Sequence, residues 1–282
     1  MPGSLTVGVI QFKPEWGDVE KNLSMTSELF QEAGKKGCEV VVLPEMWPTG
    51  MHGNFDMHKF KQPIPGAYTD FLAENAMEHS FYVVAGMPER GQRGAMHNSA
   101  VLISDKGRIL AKHRKVHLYK RLGEHKIWKA GDRFTVVDTK IGRIGLLICY
   151  DGDFPESWRA NALMGAELVF HISAYESPCE SWWERFYPAA VMQNVLWAVL
   201  CNTVGDTVSG GKRLHFFGRS RIIAPDGDTY AEAPTVSRSE YAKSFLLVRR
   251  LHCRKRLREA RENFRSFIAD RRPELYGMLI KH

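Results

Sequence analysis

The sequence predicts an α/β protein, a four-layer α-β-β-α sandwich with two internally similar halves. Three observations point there. Short apolar runs of buried-strand length alternate with amphipathic helical stretches, first from Leu5 onward and again from Phe134. Each half closes on a turn carrying Asp and Gly, Asp105-Lys106-Gly107 and Pro225-Asp226-Gly227. Each half also sends an apolar run straight into a chemically able residue, Leu43-Pro44-Glu45 in one and Ile148-Cys149 in the other. Two such β-α-β units bury their strands most fully as sheet against sheet with the helices outside.

In chain order, Leu5–Gln11 reads as a buried strand, followed by a helix from an Asp18 N-cap to about Lys36, with Val19, Leu23, Leu29, Phe30 and Ala33 on its apolar side and Gly37 closing it. Glu39–Leu43 is a second strand. A helix over Tyr68–His79 leads to strands at Phe81–Gly86, Asn98–Ile103 and Ile109–Arg114, the last delivering Lys115. After a strand from Phe134, Gly142 opens the apolar strand that ends at Cys149, and Pro155 with Glu156 starts a helix to Met164. Next come a strand at Glu167–Ile172, a helix through Trp183–Asn194 that Pro188 is expected to kink or delay, and strands at Leu196–Asn202, Arg219–Ala224 and Phe245–Arg249. A charged helix over Leu251–Ala269 ends the pattern.

At 282 residues the chain reads as one domain. No apolar run approaches the length of about 20 residues that spans a bilayer, and Pro2-Gly3-Ser4 leads into a strand without a signal-peptide pattern, so no membrane partner and a cytoplasmic location are expected. Five widely spaced cysteines lack a CxxC pair, which argues for reduced thiols and against a disulfide framework or a cysteine zinc site. The net charge of +7 is concentrated in Arg249-Arg250, Arg254–Arg258, Arg261, Arg265 and Arg271-Arg272; a basic helical tail without a zinc-finger or RNP motif is a solvated or subunit-facing surface rather than a nucleic-acid site.

The stretch Gly142–Trp158 is strand, sharp turn, helix, a geometry that presents a thiol at a sheet edge beside backbone N–H groups able to hold an oxyanion. Taken alone it leaves Cys149 either a nucleophile or a small buried hydrophobe. Glu45 stands at the carboxyl end of a strand, where open α/β sheets build their sites, and is otherwise a surface carboxylate. Lys115 and Glu124 join them as candidates, with a solvated lysine among His113, Arg114, Lys120 and Arg121, and an exposed loop carboxylate, as the plain alternatives. His52, His58, His113, His117 and His125 show no zinc-ligand spacing, so no metal is expected and they read as loop or core histidines. Trp182-Trp183 and Phe186 either line a pocket or pack the core.

Three blocks now stand in order: Leu43-Pro44-Glu45; His113-Arg114-Lys115-Val116-His117-Leu118 leading to Glu124, Trp128 and Gly131; and Ile148-Cys149-Tyr150-Asp151 with Phe154-Pro155-Glu156. Together with Asn98-Ser99 and Asp270–Tyr276 they resemble the carbon–nitrogen hydrolase (nitrilase) superfamily over nearly the whole chain. The resemblance implies Glu45 as general base, Cys149 as nucleophile, Lys115 as oxyanion donor with a backbone N–H after Cys149, and Glu124 as the second glutamate that holds Lys115. It implies no cofactor, a small amide as substrate partner, and a homodimer or higher homo-oligomer formed partly through the tail at about 250–282. Tyr150-Asp151 after the nucleophile looks like the amidase and carbamoylase side, where nitrile enzymes usually carry Trp-Glu. Gly152 and Asp153 stand where carbamoylases place a carboxylate-binding arginine, which disfavours a carboxylate-bearing substrate unless Arg185 or Arg219 reaches in. The similarity of Asp151–Leu168 to aliphatic amidases makes a small neutral amide the first expectation, with nitrile hydrolysis and a non-catalytic scaffold as alternatives. An amine-bearing substrate stays open, with Asp153 as its partner. Tyr150, Asp153 and Trp183 are the expected substrate contacts, and the loops at Trp47–Lys61 and Tyr175–Trp183 the segments expected to decide the substrate.

Overall fold

A computed structural model describes residues 1–51, 56–209, 211–235, 242–264 and 266–280; the expectations for His52 and Arg265 lie outside them. The first half runs β1 (Leu5–Gln11), α1 (Val19–Lys35), β2 (Val40–Val42), α2 (Ala67–His79), β3 (Tyr82–Arg90), β4 (Met96–Ile103) and β5 (Ile109–Arg114). The second runs β6 (Thr135–Thr139), β7 (Gly142–Ile148), α3 (Pro155–Leu163), β8 (Leu168–Ser173), α4 (Glu180–Asn194) and β9 (Trp197–Asn202). A hairpin of β10 (Val204–Ser209) and β11 (Lys212–Phe217) follows, then β12 (Arg221–Ile223), β13 (Thr229–Glu232), β14 (Phe245–Leu251), α5 (Cys253–Asn263) and α6 (Ser266–Ala269).

The strands form two six-stranded sheets of matching order, β14-β1-β2-β3-β4-β5 and β6-β7-β8-β9-β12-β13. In each, the second to fourth strands run parallel and the flanking pairs antiparallel. Strand alternation builds three cores from these two sheets. Val7, Val9, Val40, Val42 and Val84 of one sheet meet Ile144, Leu146, Phe170, Ile172 and Val199 of the other in the central layer. The opposite faces, with Val41 and Val83 in one sheet and Leu147 and Val169 in the other, are covered by α1 and α2 and by α3 and α4 respectively. This is the expected α-β-β-α sandwich. Asp18 caps α1 as the sequence implies, accepting the Lys21 N–H at 3.1 Å, and Pro155 opens α3 at its first position.

Two expectations are corrected, and the structure adds one element. The terminal helix does not start at Leu251, because β14 runs on to pair Leu251 with Leu5; helix begins at Cys253, and α5 and α6 are separate. Of the two effects expected of Pro188, delay is not seen: α4 starts at Glu180 and runs on through the proline, which lacks the N–H for one helical bond. The β10–β11 hairpin was not anticipated, although Ser209-Gly210-Gly211 between two β-prone runs carries a hairpin signal. All five cysteines are free, and no helix among the described residues is long and apolar enough to cross a membrane.

Candidate active site

Glu45 follows β2 past Pro44, and the chain then turns through Met46 in the left-handed region, φ 51°. The bend passes so close to β3 that a side chain on Gly86 would come within 2.8 Å of the Glu45 Cα, so only glycine fits there. The Glu45 carboxylate is buried. Its Oε1 accepts from Asn98 Nδ2 at 2.6 Å and Lys115 Nζ at 3.0 Å, and its Oε2 from the Ala174 N–H at 2.9 Å. Burial pushes this carboxyl above its ordinary value against the opposing pull of Lys115.

Lys115 is only 1% exposed, which removes the solvated-lysine reading. The end of β5 aims it inward, where Nζ donates to Glu124 Oε1 at 2.8 Å as well as to Glu45. Burial works against the ammonium, but Glu124 and Glu45 together hold it well above the usual lysine range. Glu124 is also buried, and its Oε2 accepts the Tyr119 N–H at 2.7 Å, so it is not an exposed loop carboxylate. The three side chains form one carboxylate–ammonium–carboxylate chain.

Cys149 lies immediately after β7 and opens a 3₁₀ turn, Cys149–Asp153, with φ 47°. A non-glycine residue held there is strained and persists only where its surroundings over-determine it. Two buried residues do so. His171 Nε2 lies 2.8 Å from the Cys149 carbonyl oxygen, which can only accept, so that ring nitrogen carries the hydrogen. A Cβ on Gly152 would meet the same Nε2 at 2.6 Å, so the ring and the turn pack too closely for any larger residue. Burial lowers the His171 pKa to about 4, and the ring is neutral at physiological pH. Asp151 Oδ2 accepts from the Ile148 N–H and His113 Nε2, while Oδ1 accepts the Val116 and His117 N–H groups and His117 Nδ1. Burial raises the Asp151 carboxyl, but the His113 and His117 hydrogen bonds outweigh it and hold it well below the usual range. Two of the loop or core histidines therefore brace the turn. The Cys149 thiol is pushed well above its ordinary value by burial, with the Glu45 charge adding to it.

These elements converge on one narrow cleft, open to solvent at its mouth, with Cys149, Glu45 and Glu124 on its walls. Tyr150 and Asp153 line it, as expected from their positions after Cys149. Trp183 does not: it is fully buried under α4, with Nε1 donating to the Arg219 carbonyl, and the α4 register puts Trp182 on the cleft instead. Arg185 is exposed and Arg219 is engaged by Glu184 and Glu232, so neither reaches the cleft. Met51 of the first expected loop, and Tyr175, Glu176, Cys179 and Trp182 of the second, complete the wall. Sequence reasoning missed the supporting roles of His171, which holds the Cys149 carbonyl, and of Tyr175 and Tyr187, which hydrogen-bond Asp153; buried residues inside a strand or helix look like plain core until the fold shows what they touch. Among the described residues no group of three or more His, Cys, Asp or Glu is arranged to hold a metal ion.

The model of the carbon–nitrogen hydrolase family matches residues 6–242, which contain all four residues of the cleft's polar core. The chain belongs to the carbon–nitrogen hydrolase family. Among its relatives it is 34% identical over 233 residues to a protein named nitrilase from Pyrococcus abyssi, covering 80% of this chain and 84% of that one. It is 32% identical over 229 residues to an (R)-stereoselective amidase from a Pseudomonas species, covering 81% of each. A crystal structure of a carbon–nitrogen hydrolase from Helicobacter pylori superposes with a TM-score of 0.90 at 26% identity, over 99% of both chains. As a family member the chain is a hydrolase of carbon–nitrogen bonds, and its amidase-named relatives support amide hydrolysis in general.

Proposed function

We propose that this carbon–nitrogen hydrolase cleaves a small amide, either an aliphatic amide or an N-carbamoyl compound, through a thioester on Cys149. The observation that carries the reading is the buried Glu45–Lys115–Glu124 chain opening onto the same cleft as Cys149. The raised thiol pKa means that Cys149 rests protonated, so attack needs a base at that moment rather than a standing thiolate. Glu45 takes the thiol proton as Sγ bonds to the amide carbon. Lys115 Nζ and the Tyr150 N–H, at the unsatisfied start of the 3₁₀ turn, hold the resulting oxyanion. The C–N bond then breaks as Glu45 returns the proton to the leaving nitrogen, which departs as ammonia or amine. A water gives its proton to Glu45 and attacks the thioester carbon; collapse releases the acid and restores the thiol. Glu124 keeps Lys115 charged and aimed. A carboxylate-bearing substrate is disfavoured, since no arginine lines the cleft.

The tail extends the reading to assembly. Leu275, Met278, Leu279 and Ile280 expose large apolar side chains at the end of the described chain, and burying them against a second copy removes that surface from water. The enzyme is accordingly a homo-oligomer whose interface includes this segment.

The test is ammonia release from short amides, N-carbamoyl compounds and nitriles, with intact-mass detection of the acyl-enzyme. Amide turnover that is lost together with the adduct in Cys149→Ala supports the reading. Faster turnover of nitriles, in line with the nitrilase-named relative, overturns the substrate class, and turnover that survives Cys149→Ala overturns the mechanism.

A further inference from the structure

Two carboxyl groups in the cleft take no part in the chemistry above. Asp153 Oδ1 accepts the hydroxyls of Tyr175 and Tyr187, while its Oδ2 is buried without a hydrogen-bond partner; Glu176 Oε2 is buried in the same condition. Among the described residues these are the only carboxylate oxygens so placed, and both residues line the cleft that holds Cys149. A buried carboxylate oxygen left unpaired is destabilising, a cost retained where a ligand removes it. The Tyr hydroxyls brace Asp153 from behind. Tyr175 donates to Asp153, and Tyr187 has one proton for either Asp153 or the Tyr175 oxygen 2.7 Å away, so Oδ2 is left facing away from both donors.

The charge balance points one way. Lys115 is already shared by Glu45 and Glu124, and among the described residues no other lysine or arginine donates a hydrogen bond to the cleft's acids. Exposed Arg121 acts on Glu176 through space, without an ion pair. Tyr119, Tyr150 and Trp182 supply aromatic surface of the kind that attracts cations. Burial pushes the Glu176 carboxyl up to about 7 and raises that of Asp153, and a bound cation would bring both back to the ionised form.

We infer that the preferred substrate carries a protonated amine on its acyl chain, held by Asp153 Oδ2 and Glu176 Oε2. This rests on the amide-hydrolase reading and names the substrate class within it.

The test compares ω-amino amides of three to five carbons with unsubstituted amides of equal length and with the matching ω-carboxy amides, using wild type, Asp153→Asn and Glu176→Gln. The expected result is a kcat/KM at least about tenfold higher for the best amino amide than for its neutral partner, lowest values for the carboxy amides, and a preference that shrinks about tenfold in each variant. Neutral amides turned over with no amine preference, or a preference unmoved in both variants, overturns this inference while the amidase reading stands. If none of the amides is turned over, the amidase reading fails instead, and calorimetry of butylammonium with Cys149→Ala protein decides recognition alone: binding weakened by Asp153→Asn supports it, and no binding overturns it.

Discussion

The Asp151 carboxylate accepts the His117 amide N–H at 2.8 Å, tying the turn that carries Cys149 to the chain that leaves Lys115. Cys149 and Lys115 come from different sheets, and this buried side chain links the segments that carry them. Asp151→Asn replaces an acceptor with a donor among N–H groups that are themselves donors. The expected cost is about 2–4 kcal/mol of stability and about a hundredfold in kcat/KM. Urea unfolding and steady-state kinetics check it, and a variant within twofold of wild type would sink the clasp. Because the folded carboxyl sits below its ordinary value of about 4, this contribution is present above that pH and is lost as pH falls further.

Lys115→Met leaves Glu45 and Glu124 buried without their shared cation. The expected loss is about 3–5 kcal/mol, with activity down by a hundredfold or more. Adding Glu124→Gln should return part of the stability and none of the activity. Thermal unfolding beside kinetics separates the two effects, and equal recovery of both would contradict the oxyanion role.

His171 gives a pH test. Its folded pKa of about 4 lies below the ordinary 6.5, so the unfolded chain binds the proton more readily. Its contribution is intact above pH 6.5 and falls away between there and about 4, by roughly 3 kcal/mol in total. His171→Gln should therefore flatten the stability curve across that window. His171→Leu, which also removes the donor to the Cys149 carbonyl, should lower kcat about tenfold with little change in KM. A curve parallel to wild type would show that His171 does not titrate as described.

Asp substitutions at Leu279 and Ile280 should shift the protein to a smaller species in light scattering, since both project apolar side chains outward at the end of the described chain. A wild type that already runs as a monomer would exclude the tail as an interface.

The strands and the four layers were legible in the sequence because parallel strands buried on both faces read as unbroken apolar runs, and Glu45 and Cys149 each stand just past one; Lys115, after the mixed edge strand β5, and Glu124, in a turn, stood out only through the sequence blocks they share. What stayed hidden depends on direction. Trp182 and Trp183 are neighbours of one type, and only the α4 register decides that one faces the cleft and the other the core. His171 reads as core because it is core, and its reach to the Cys149 carbonyl appears only once β7 and β8 lie side by side. The β10–β11 hairpin is rich in polar and basic residues, which blurred its alternation.

The matching order of the two sheets gives each strand of one sheet a counterpart in the other. Val9 pairs with Val42 across β1 and β2 as Leu146 pairs with Phe170 across β7 and β8. Counting onward, Phe12 occupies the place of Cys149, and Ser173 that of Glu45, both wholly enclosed. The backbone thus repeats while the chemistry does not. One copy supplies the thiol and the other the carboxylate and ammonium, so the mirrored corner is mute and neither repeat is half an enzyme.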